Sequence, residues 1–108
     1  MQFNNKQMNK IEELGWSVKV EVYQCEYFCE KYLKLTKTTK GGVEFSFELD
    51  YYDADSELNE AVEFFDEAEI MEKLRANNET SLEGYELWVE VKEIEEDLQE
   101  LERELRGL

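Results

Sequence analysis

Between Lys40 and Lys73 the chain carries twelve acids with no base among them: Glu44, Glu48, Asp50, Asp53, Asp55, Glu57, Glu60, Glu63, Asp66, Glu67, Glu69 and Glu72. Carboxylates in such number can ligate a metal, exchange protons as a catalytic pair, or present negative charge to a basic partner. The metal reading is sharpest at Asp53-Ala-Asp55-Ser-Glu57, which starts like a calcium loop whose alternating acids set oxygens around one ion. The later positions do not follow, because Leu58 stands where the loop needs its sharp-turn glycine and Phe64 where it needs a bidentate acid. Paired carboxylates carry out acid and base chemistry in glycosidases, but no spacing here isolates one pair from its neighbours. Presenting charge is the use that this pattern favours.

The other residue types narrow the chemistry further. With no histidine in 108 residues, the chain cannot form a Ser-His or Cys-His dyad or an imidazole metal site. Glycines at 15, 41, 42, 84 and 107 build neither a GxxxxGK[ST] loop nor a GxGxxG fingerprint. Cys25 and Cys29 form a lone CxxxC, short of the four ligands of a structural zinc site, and are expected to be buried, reduced thiols. No catalytic residue, metal or cofactor is therefore expected, and the protein is expected not to be an enzyme. A formal net charge of −16 repels phosphate, so direct binding to nucleic acid or to an anionic membrane is disfavoured and a basic protein partner is expected. No apolar run reaches the ~18 residues of a membrane span, and the start MQFNNKQMNK lacks the apolar core of a signal peptide. A cytoplasmic protein is expected.

The elements that must position these acids are legible from periodicity. At 42% apolar and 13% aromatic residues, a single domain over residues 1–108 can fill a core despite its charge. Phe3, Met8, Ile11 and Leu14 make a helical stripe that Gly15 stops. Val18, Val20 and Val22 alternate with Lys19, Glu21 and Tyr23 as in a half-buried strand. Residues 32–37 lead through Lys40-Gly41-Gly42 into Val43, Phe45, Phe47 and Leu49, a hairpin with a glycine turn; residues 25–31 between the strands stay ambiguous. A helix over about residues 56–76 puts Leu58, Ala61, Val62, Phe65 and Ala68 on one side and Glu60, Glu63, Asp66 and Glu67 on the other. Tyr85, Leu87, Val89 and Val91 alternate like a fourth strand, although one helix over about 81–107 is also permitted; the strand is preferred for Gly84, the valines and the aromatics. Ile94, Leu98, Leu101, Leu105 and Leu108 form a four-three seam that is expected to cover the sheet. The sum is an α+β domain, a mainly antiparallel sheet of three to four strands with helices packed on one face.

Charge is distributed unevenly over these elements. Residues 1–40 hold seven lysines and five glutamates, whereas residues 41–108 hold 23 acids and five bases. Carboxylates ~7 Å apart repel by roughly 0.6 kcal/mol in water before salt screening. Folding does not require such a run, since interspersed lysines would add i,i+4 pairs and keep the protein soluble. Carboxylates one helical turn apart stand ~5–6 Å from each other, close to the spacing of phosphates along a nucleic-acid strand. The expected partner-binding set is Glu44, Glu48, Asp50, Asp53, Asp55, Glu57, Glu60, Glu63 and Glu67, with Tyr51 and Tyr52 as adjoining anchors. Trp16, Tyr23, Tyr27 and Trp88 are assigned to packing.

The order of a short helix, Trp16-Ser-Val18-Lys-Val20, a hairpin ending Val43-Glu-Phe45-Ser-Phe47-Glu-Leu49-Asp50, and the acidic segment from Glu57 to Leu74 resembles small phage-borne anti-CRISPR proteins over about residues 3–76. The resemblance is one of layout and charge. It implies a non-enzymatic inhibitor that imitates DNA and occupies the nucleic-acid groove of a bacterial defence nuclease, a CRISPR effector such as Cas9. A monomer is expected in preference to a homodimer. Alternatives from the same residues are an assembly protein pairing through its last, leucine-rich helix and an immunity protein against a basic nuclease.

Overall fold

In a computed structural model, residues 1–78 and 84–108 are described. Helix α1 (Asn5–Glu13) leads into an antiparallel sheet of β1 (Ser17–Gln24), β2 (Cys29–Thr38) and β3 (Glu44–Asp50), paired in that order. A 3-10 turn (Tyr51–Asp53) then opens α2 (Ala54–Phe64), followed by α3 (Glu67–Asn78) and the long α4 (Gly84–Leu105). Local chemistry sets the boundaries. Asn4 and Gln7 form a reciprocal capping box at the start of α1, and Gly15 ends that unit with φ of 93°, a conformation glycine adopts without strain. At the β2–β3 turn, Val43 N–H donates to Thr39 Oγ1 at 3.1 Å and Thr39 N–H to Val43 O at 2.9 Å, so the buried threonine is satisfied within the turn.

The sheet carries its helices on one face, as the alternation requires. Leu33, Leu35, Phe45, Phe47 and Leu49 point into the core, while Glu44, Ser46, Glu48 and Asp50 lie on the opposite, uncovered face. Trp16, Phe45, Phe47 and Phe65 form an aromatic cluster with centroid separations of 5.4 to 6.4 Å.

The structure corrects several expectations. Residues 85–91 belong to α4 and not to a fourth strand. Leu87 and Val91 fit both periods, but with Ile94, Leu98, Leu101 and Leu105 they form one buried stripe, while Trp88 and Val89 fall off it and are exposed. The seam is therefore core, and only its last member, Leu108, is exposed. The helix expected over 56–76 is two helices broken at Phe65 and Asp66. Phe65 leaves helical geometry at ψ of 79°, which places its ring in the aromatic cluster, and Asp66 Oδ1 accepts from Glu69 N–H at 3.0 Å as a new N-cap. Ala68, expected on the core side, is consequently exposed. Val20 and Val22 are exposed because β1 is an edge strand, Val20's partner Leu33 on the inner strand being buried; Cys25 and Cys29 at the hairpin tip are exposed, unbridged thiols.

Asp97 on α4 departs from ordinary carboxylate behaviour. Partial burial pushes its pKa up, Glu93, Glu100 and Glu96 push the same way, and Lys37 opposes them. A raised folded-state value means that the folded protein binds this proton more tightly than the unfolded chain, so the ionised group disfavours folding at neutral pH and ceases to do so as pH falls. Asp97→Asn is expected to raise Tm at pH 7, with the advantage gone below about pH 3.8. Thermal melts of both proteins across that range check the sign; an advantage that grows toward acid contradicts it.

Candidate functional site

The acidic segment is divided by the fold into regions of different chemistry. Along β3, the pairing register puts Glu44 beside Thr38, Glu48 beside Lys34 and Asp50 beside Tyr32 on the open face of the sheet. Asp50 is partly consumed in structure: its carboxylate accepts from Tyr52 N–H at 2.8 Å, and its own N–H donates to Glu57 Oε2 at 2.7 Å. Glu57 thereby ties the start of α2 to the end of β3. Asp53 and Asp55 accept from the amino-terminal ammonium at 2.9 and 2.7 Å, which holds the Asp55 carboxyl below the usual range and raises the amine. Glu67 is bridged by Lys92 of α4 at 2.8 Å. An acid run unbroken in sequence is thus partly neutralised in space.

The structure brings three of the expected residues together at one place. Glu48 from β3 and Glu57 and Glu60 from α2 line a cleft of about 420 Å³, whose other walls are Leu49, Ala61, Phe64 and Phe65. Glu57, Glu60, Ala61 and Phe64 share this face because they are spaced three, four and seven residues apart on α2. Glu60 and Glu63 are exposed and form no ion pair among the described residues. Glu44 lies toward the far end of β3, and Asp53, Asp55 and Glu67 lie elsewhere with their counter-charges. Of the expected anchors, Tyr51 is half-buried, with Lys31 Nζ 5.4 Å from its ring centroid, and Tyr52 is exposed against it.

Phe64 is the residue that sequence reasoning missed. Its ring is 60% exposed beside an acidic rim, while the adjacent Phe65 is buried. The signal was present in Asp66-Glu-Ala-Glu69, the N-cap pattern that announces the break and so lets adjacent phenylalanines take different directions. Carboxylates around an exposed aromatic ring suit a lysine ammonium or an arginine guanidinium: the oxygens accept charge-assisted hydrogen bonds and the ring face attracts the cation.

Among the described residues, no group of three or more His, Cys, Asp or Glu side chains is arranged to hold a metal ion, and no helix is long and apolar enough to cross a membrane. No protein-family model, curated protein or solved structure matches the chain.

Proposed function

We propose that the protein is a non-enzymatic binding protein that occupies a basic nucleic-acid groove, that of a bacterial defence nuclease such as a CRISPR effector, with its own carboxylates standing in for phosphates. The observation that carries this reading is the cleft lined by Glu48, Glu57 and Glu60 together with the exposed Phe64. A groove built for DNA presents lysine and arginine side chains. The rim would steer their approach and pair with them, while the ring would supply the desolvated contact that charge alone lacks. Asp53, Asp55 and Glu67 contribute less, because each already has a cation within 3 Å in this structure.

The test uses a guide-loaded CRISPR effector nuclease and its target duplex. The wild-type protein is expected to compete with the duplex for the effector, more weakly as salt rises. The triple variant Glu48→Gln/Glu60→Lys/Glu63→Lys is expected to bind about 10- to 100-fold more weakly while keeping its melting temperature, since Glu60 and Glu63 are exposed without an ion pair among the described residues and glutamine at position 48 sets no like charge against Lys34. Undiminished binding by the triple variant, or competition indifferent to salt, would remove the phosphate-mimic reading.

A further inference from the structure

The sheet has two outer edges, β1 and β3: β3 packs against α2 and α3, β1 packs against α1, and among the described residues no strand pairs beyond β1. Exposed edges are ordinarily blunted by proline, by bulges, by early termination or by charged side chains, and of these β1 has only the charges of Lys19 and Glu21. This chain has no proline, and β1 runs for eight residues in unbroken register with β2. At the hairpin turn Cys25 N–H donates to Phe28 O at 2.9 Å, which sets the antiparallel alternation: Gln24, Val22, Val20 and Val18 turn their amides away from β2. Among the described residues nothing bonds to those outward amides.

We infer that the β1 edge pairs with the β1 edge of a second copy, antiparallel about a two-fold axis at Val20, to form one continuous sheet. Charge complementarity selects the partner and the register. With Val20 opposite itself, Val18 faces Val22 and Lys19 faces Glu21, so residues 17–23 are complementary to their own reverse. The valines form one apolar stripe on the helix side, covering Val20 and Val22, which are 48% and 53% exposed in the single chain. Both Lys19–Glu21 pairs lie on the open face at non-hydrogen-bonded positions, where cross-strand side chains approach most closely. Shifting the axis to Lys19 or to Glu21 sets like charges against each other, and a one-residue slip places valines opposite charges.

The overall charge of −16 does not oppose this pairing as strongly as it suggests. The edge belongs to residues 1–40, where lysines outnumber glutamates, while the acidic cleft borders β3 at the far side of the sheet. In the pair the two acidic edges stand about five strand spacings apart, roughly 24 Å, against a screening length of ~8 Å at physiological salt. This inference departs from the monomer expected from sequence and stands independently of what the acidic cleft binds.

Sedimentation velocity over a range of concentrations tests it. A species of twice the 12.9 kDa chain mass is expected. Lys19→Glu and Glu21→Lys are each expected to weaken self-association about tenfold, and the double swap to restore it. Lys19→Glu does not threaten the fold, because it places an acid opposite Lys34 within the chain's own sheet. As a second measurement, Val20→Cys in a Cys25→Ser/Cys29→Ser background is expected to cross-link to a covalent dimer under mild oxidation. A monomer at every concentration, a dimer indifferent to both single reversals, or a double swap without recovery would each overturn the proposal.

Discussion

Leu101→Glu is expected to unfold the protein. Leu101 is fully buried on α4, in the stripe that also holds Ile94, Leu98 and Leu105. The substitution removes a packed side chain worth roughly 2–5 kcal/mol and asks a carboxylate to enter an apolar layer with no counter-charge. The combined cost is of the order of the whole stability of such a domain, about 5–15 kcal/mol. Loss of the helical circular dichroism at 25 °C, or a melting transition displaced below it, is the expected reading. The same substitution distinguishes the two uses of a leucine seam. On a pairing surface it would leave a folded chain with altered assembly, so a normally stable Leu101→Glu variant would place the seam outside the core and contradict the fold described above.

Phe65→Ala is expected to cost about 3–5 kcal/mol, whereas Phe64→Ala should stay within about 0.5 kcal/mol of the wild type. Neighbouring residues of identical type are assigned opposite roles by the break between α2 and α3. The Phe65 ring meets Phe45 edge-on at 5.4 Å and Phe47 at 5.7 Å, so truncating it opens a cavity where the helices join the sheet. Phe64 touches only the outer side of that cluster, with its centroid 5.3 Å from Phe65. Urea midpoints at constant m-value measure both effects. Under the proposed function the order reverses for binding, Phe64→Ala weakening the complex while leaving the fold intact. Equal stability losses for the two variants would mean that the chain runs as one uninterrupted helix here.

Much of the fold was legible because period two and period 3.6 are local properties. The alternation of Val43, Phe45, Phe47 and Leu49 with Glu44, Ser46 and Glu48 named both the strand and its buried face, and Gly15 and Gly42 marked turns that the structure realises at φ of 93° and 85°. Failures came where one segment satisfied two patterns. Leu87 and Val91 are four apart, hence on one helical stripe, and also an even number apart, hence on one strand face, so no local count separates the readings. Packing into the common core, against α1, α2 and α3, did so by burying the whole series to Leu105. The acidic segment was legible as composition and misleading as geometry, because counter-charges such as Lys92 lie far along the chain from the acid they meet.

Composition and periodicity were sufficient to establish an α+β chain with its helices on one side of an antiparallel sheet, an excess of carboxylates after residue 40, and no imidazole for catalysis. Those properties depend on residue types and short spacings. Which carboxylates remain without a counter-ion, which of two adjacent phenylalanines reaches solvent, and which sheet edge is left bare depend on contacts between elements remote in sequence. Such contacts are settled by burial of the common core, and no window of neighbouring residues contains them.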